Sequence, residues 1–102
     1  MKLEFYSQEK LKKEIQRIIS GYLDLNKYKV FFFGSRVSGK GSERSDIDIG
    51  IEGPKEIPLE IISAIKEESS NLPTLYRIDI IDFRNVDKDF YKVAKQDIEM
   101  VV

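Results

Sequence analysis

The sequence predicts an α+β domain of two layers, a small mixed β-sheet with helices packed on one face. Three observations predict it. Apolar residues recur at three- and four-residue spacing over residues 7–25 and, more briefly, over residues 58–70, as in amphipathic helices. Between and after these stretches lie short runs rich in β-branched and aromatic residues, at Val30–Phe33, Asp46–Ile51 and Leu75–Phe83. At 102 residues the chain suffices for one core and not for two, so residues 1–102 are expected to form a single domain.

Each element has its own signal. Ser7 is a candidate N-cap for a helix running to about Leu25, with Leu11, Ile15, Ile18, Ile19, Tyr22 and Leu23 inward and Lys10, Lys12, Lys13, Glu14 and Arg17 outward. Asn26 and Lys27 close it. Val30, Phe31, Phe32 and Phe33 form a short apolar run of the length and composition of a buried strand, and Gly34-Ser35 breaks it. In Asp46–Ile51 the side chains alternate: Ile47, Ile49 and Ile51 share one face, Asp46, Asp48 and Gly50 the other. Gly53-Pro54 ends that strand, and Pro58 suits the first residue of a helix through about Ser70 that buries Ile61, Ile62 and Ile65. Leu75–Phe83 is the third strand. A last helix starts near Asp87 and carries Phe90, Val93 and Ala94, while Ile98–Val102 either extends it or adds a short edge strand.

Composition removes whole classes of function. The net charge of −1 provides no basic field for gripping long nucleic acid. Without Cys there is no disulfide framework, and without His there is no histidine-ligated zinc and no histidine general base. The N-terminus lacks the apolar core of a signal peptide and no stretch is long enough to span a bilayer, so the expected location is the cytoplasm.

Chemistry concentrates in residues 30–51, VFFFGSRVSGKGSERSDIDIGI. Asp46 and Asp48 stand side by side on one strand face, a pair that repels itself unless a cation lies between. Hard oxygen ligands of this kind suit Mg²⁺, which takes one or two carboxylates and completes its shell with water and substrate phosphates. The Gly34-Ser35 turn, separated from Asp46 by ten residues, brings backbone amides and a hydroxyl close to a ligand, as a phosphate cradle does. The alternative for the Asp pair, inward charges that discourage edge-to-edge aggregation, leaves the Gly-Ser turn unexplained. For Gly39 and Gly41 plain loop flexibility is the better reading.

Gly34-Ser35 followed by Ser45-Asp46-Ile47-Asp48, within strand–turn–helix–strand, resembles the signature of the polymerase-β-like nucleotidyltransferase superfamily, in particular its minimal nucleotidyltransferase (MNT) branch. The resemblance implies that fold, ATP as substrate, and two Mg²⁺ ions held by Asp46, Asp48 and a third carboxylate. Asp79 is the matching position, an Asp followed by two aliphatics, and in mid-strand it has no structural reason to be charged. Asp82, near the strand end, is the competing candidate and reads equally as a turn or capping residue. Gly34, Ser35, Arg36 and Ser45 become nucleotide-binding candidates, with Ser45 alternatively positioning the strand. Arg36 and Arg44 either neutralise phosphates or are ordinary solvated loop arginines. Relatives often carry a second basic residue after the turn, where this chain has Ser38.

The resemblance further implies an antitoxin that moves AMP from ATP to a hydroxyl, a tyrosine by expectation, on a HEPN-domain ribonuclease toxin. That partner would be a separate chain, because its catalytic motif needs a histidine. Two other readings stand beside this one: a nucleotidyltransferase with a small-molecule acceptor, and a non-catalytic module that masks its partner by contact. A partner surface is expected on the last helix with Met100-Val101-Val102.

Overall fold

A computed structural model of the chain describes residue 1, residue 3, residues 6–39 and residues 45–102. The chain runs α1 (Gln8–Ser20), β1 (Lys29–Phe33), α2 (Ser35–Ser38), β2 (Ile47–Glu52), α3 (Leu59–Ser70), β3 (Ile78–Asp82), α4 (Lys88–Ala94) and β4 (Glu99–Met100). The strands form one mixed sheet in the order β3-β2-β1-β4. β1 pairs antiparallel with both β2 and β4, whereas β2 and β3 run parallel. A parallel pair needs a long crossover, and α3 supplies it.

Ser7 caps α1 as expected, its hydroxyl accepting the Lys10 amide at 3.2 Å. The helix stops at Ser20 rather than near Leu25. Gly21 follows, and the Asp24 carboxylate takes the Asn26 amide at 2.9 Å, so a local side-chain turn competes with further helix. Tyr22, expected on the buried side, is consequently exposed. α3 begins just after Pro58, whose carbonyl receives the amides of Ile61 and Ile62.

The first face of the sheet is the core. Leu11, Ile15, Ile18 and Ile19 of α1 and Ile62 and Ile65 of α3 pack on Val30, Phe32, Ile47, Ile49, Ile51 and Ile80. Burying each such side chain is worth about 1.5–3 kcal/mol. The opposite face is covered only in part. There Phe31, Phe33 and Phe83 pack edge to face, with ring centroids 4.8–6.3 Å apart, and Tyr91 and Ala94 of α4 lie against them. So α1 and α3 sit on the face foreseen, and the short α4 adds cover to the other. Gly50 makes this packing possible, because a Cβ there would come within 2.6 Å of both the Phe31 and Phe83 rings.

One strand end departs from expectation, and another decides between two alternatives. Leu75 is fully exposed and β3 begins only at Ile78, the intervening turn being fixed by the Thr74 hydroxyl accepting the Tyr76 amide. The C-terminal residues take the edge-strand alternative: β4 pairs with Phe31 and Phe32 of β1, and the Val101 amide donates to the Val30 carbonyl at 2.9 Å. Val101 is therefore buried in the core, while Met100 and Val102 remain partly exposed. Among the described residues no helix is long and apolar enough to cross a membrane.

Candidate active site

The sheet register brings the acidic residues together. Asp48 of β2 lies opposite Asp79 of the parallel β3 and opposite Phe33 of the antiparallel β1. Asp46 precedes β2 by one residue. Because side chains alternate, Asp48 and Asp79 emerge on the face away from α1 and α3. Burial, then the Asp79 charge, then the Asp46 charge push the Asp48 carboxyl up to about 6. This ordering fits a half-buried carboxylate crowded by two others.

Gly34 lies directly on this group. Its φ of +84° is in the region that favours glycine, and a Cβ there would collide with the Asp48 carboxylate. The strand β1 thus turns into the single-turn α2 with its backbone against Asp48. Within that turn the Val37 and Ser38 amides donate to the Gly34 carbonyl, each at 3.1 Å, and the Ser38 hydroxyl donates to the Ser35 carbonyl at 3.3 Å. Ser35 faces an open cleft of about 720 Å³. One wall is Phe33, Gly34, Ser35, Ser38 and Asp48; the other is α4 with its flanks, including Asp89, Phe90 and Val93.

Asp82 is excluded from the cluster by its contacts. Its carboxylate accepts the Ile57 amide at 2.8 Å and the Arg84 amide at 2.9 Å, tying two loops to the end of β3. This is the capping role weighed from sequence. Ser45 and Arg36 meet each other, Arg36 Nε donating to the Ser45 carbonyl at 2.7 Å. Arg44 and Gly41 lie outside the described residues. Sequence reasoning missed Arg77, whose Nε is 3.9 Å from Asp46 Oδ2. Only the parallel pairing of β2 and β3 brings it there, and no spacing within the motif signals it. The α4 wall of the cleft was also missed, for the same reason of distance along the chain.

The donor set suits a hard cation shared with a substrate. Carboxylates from two adjacent strands share one face of the sheet, and Asp48 is raised by burial and by its acidic neighbours, a penalty that a cation would offset. Among the described residues no three acidic side chains converge closely enough to enclose an ion unaided. A magnesium ion that keeps waters and substrate phosphates in its shell does not require such an enclosure.

Known proteins resemble this chain in sequence and in fold. A family profile described as Polymerase beta, Nucleotidyltransferase matches residues 13–102. The probable protein adenylyltransferase MntA of Haemophilus influenzae is 30% identical over 69 residues, which are 68% of this chain and 60% of that protein. The chain thus spans about three fifths of that relative's length. A chain in the crystal structure of a toxin–antitoxin with AMP-PNP superposes with a TM-score of 0.70 at 17% identity, over 89% of this chain and 72% of that one. A chain in the complex of the tri-AMPylated Shewanella oneidensis HEPN toxin with its MNT antitoxin gives 0.69 at 15% identity, over 94% and 72%. At such identities the structural likeness is one of fold, and the profile match, which takes in the turn and all three aspartates, goes further: the chain belongs to the polymerase beta nucleotidyltransferase family.

Proposed function

We propose that residues 1–102 form one minimal nucleotidyltransferase domain that transfers AMP from ATP to a tyrosine hydroxyl on a HEPN-domain ribonuclease toxin, and so acts as its antitoxin in the cytoplasm. The observation that carries this reading is the Asp48–Asp79 register with Gly34 seated on the Asp48 carboxylate, which joins a phosphate-approaching turn to an acidic cluster. Family membership supports the reaction class. The relative named a probable protein adenylyltransferase supports a protein acceptor, and the structural neighbours described as toxin–antitoxin complexes support the partner.

In this reading the β- and γ-phosphates of ATP rest against the Gly34-Ser35 turn, with the Ser35 hydroxyl donating to them. Asp46 and Asp48 stand beside the triphosphate as residues that would hold a metal, and Asp79 takes the proton from the acceptor hydroxyl. The hydroxyl oxygen then bonds to the α-phosphorus, the bond to the bridging oxygen breaks, and pyrophosphate leaves. Mg²⁺, two ions in this reading, would be held by Asp46, Asp48 and Asp79 and would supply neutralisation of the charge that builds on the transferred group. The exposed Phe90 and Val93 on the α4 wall, with Met100, are the apolar surface offered to the partner.

The test is incubation with Mg²⁺, ATP and a HEPN protein encoded beside this chain, followed by intact mass of both. Addition of AMP to the partner, absent when Asp46 and Asp48 are both Asn, is the expected result. Co-elution of the two proteins without added mass would replace this reading with masking by contact. No mass and no complex would turn attention to a small-molecule acceptor.

A further inference from the structure

The two aspartates of the motif are held by different means. Asp48 lies within the sheet, paired on both sides by β1 and β3. Asp46 lies before the first residue of β2, outside the paired register, so the ladder alone does not place it. Contacts to its two neighbours do. On one side Arg36 Nε donates to the Ser45 carbonyl at 2.7 Å, and the same guanidinium lies 4.6 Å over the Tyr76 ring. On the other side the Ile47 amide donates to the Arg77 carbonyl at 2.8 Å, and Arg77 Nε reaches the Asp46 carboxylate itself.

We propose that Arg36 and Tyr76 are positioning residues that clasp α2, the residue before Asp46 and the approach to β3, and so aim the Asp46 carboxylate; this rests on the nucleotidyltransferase reading of the site. The chemistry asks for these residue types. A guanidinium can donate in its plane to a carbonyl while its face stacks on an aromatic ring, and an ammonium cannot do both with fixed geometry. The face of the ring supplies a rigid platform for the guanidinium. Tyr76 and Arg77 are adjacent, so the segment that receives Arg36 also carries the cation beside Asp46. Arg36 therefore serves the site through Asp46.

The test compares Arg36→Gln, Arg36→Lys, Tyr76→Leu and Tyr76→Phe in the full chain. For AMP transfer, Arg36→Gln and Tyr76→Leu are expected each to lower kcat about tenfold, with KM for ATP moved less than about twofold, since a displaced carboxylate impairs the reacting geometry. Tyr76→Phe, which keeps the ring, should lose less than Tyr76→Leu, Arg36→Lys should fall below the wild-type rate, and the Gln/Leu double variant should be no worse than either single change. A large rise in KM for ATP with Arg36→Gln, alongside normal kinetics for Tyr76→Leu, would instead make Arg36 a direct phosphate ligand and overturn the clasp. A second readout needs no activity. Hydrogen exchange at the Ile47 amide of the ligand-free chain should quicken about tenfold in Tyr76→Leu and Arg36→Gln and less in Tyr76→Phe, which keeps the ring. Unchanged exchange in Tyr76→Leu defeats the clasp whatever the kinetics. Absence of transfer in the wild type would defeat the proposed function, and the exchange result would still decide this one.

Discussion

The two faces of the sheet are made by the same strands and do opposite work. On the α1 and α3 side Ile47, Ile49 and Ile51 are fully buried. On the other side the intervening residues are Asp48, Gly50 and Glu52, and the cover divides into three zones. Near Glu52 the face is tied to α4: the Tyr91 hydroxyl donates to the carboxylate and Lys95 Nζ lies 2.7 Å from it. Around Gly50 three phenylalanines close over the sheet. At Asp48 the face opens into the cleft. A strand can carry a self-repelling carboxylate cluster when one face completes the core and the charged end of the other keeps access to water or a cation.

Exchanging charge for amide on the open face should remove function and spare the fold. Asp46→Asn with Asp48→Asn is expected to lower AMP transfer by about a thousandfold or more, the loss of roughly 4 kcal/mol of transition-state stabilisation. Its thermal midpoint without Mg²⁺ should equal or exceed the wild type, and transfer at the wild-type rate would refute the assignment of the site. The closed face should behave in reverse. Ile49→Ala is expected to cost about 2–5 kcal/mol of stability in urea unfolding, since it opens a cavity at a fully buried position.

Changes at the boundary sharpen the contrast. Gly34→Ala combines a disfavoured positive φ with a collision on Asp48, so transfer should fall steeply for a stability loss of about 1–3 kcal/mol. Asp82→Ala leaves the Ile57 and Arg84 amides without their acceptor and should cost about 1–2 kcal/mol with the transfer rate unaltered. Asp79→Asn should do the opposite, and a transfer-dead Asp82→Ala would exchange their roles.

The smallest effect is in pH. The Asp48 carboxyl is raised in the folded chain to about 6 by burial and by Asp79 and Asp46. Between its ordinary value, 3.8, and about 6 the folded state binds more protons than the unfolded, so this group's contribution is full in acid and is lost as pH rises through that window. Glu52 has the opposite sign. Burial pushes it up, but the Lys95 and Tyr91 hydrogen bonds outweigh burial and hold it below its ordinary value, so its contribution disappears as pH falls. Thermal midpoints of Asp48→Asn minus wild type, measured without Mg²⁺ from pH 4 to pH 7, isolate the first term and should increase with pH. A flat difference would mean that neither burial nor the neighbouring carboxylates raise Asp48.

Much of this architecture was legible in the chain. The Ser7 cap, the alternation in Asp46–Ile51 and the helix start near Asp87, whose carboxylate accepts the Phe90 amide at 2.7 Å, are local, and local backbone chemistry is what periodicity and capping report. Sequence grounds favour Asp79 over Asp82, and the register sets it opposite Asp48 near the start of β3. The readings that failed were those set by packing. Leu75 looked like strand and is solvent-exposed, because the Thr74 turn delays β3. Val101 looked like partner surface and is core, because its amide pairs with β1.

By itself, then, the sequence determined the elements, the face on which each strand carries its charge, and the turn chemistry of Gly34, since these depend on neighbours within a few residues. Tertiary structure alone decided that Asp79 stands opposite Asp48, that Arg77 reaches Asp46, that Arg36 stacks on Tyr76 and that α4 walls the cleft. Each of those depends on strand register and helix placement between segments distant in the chain, and burial of the isoleucine face selects them because slipping the register by one residue would turn the carboxylates into the core.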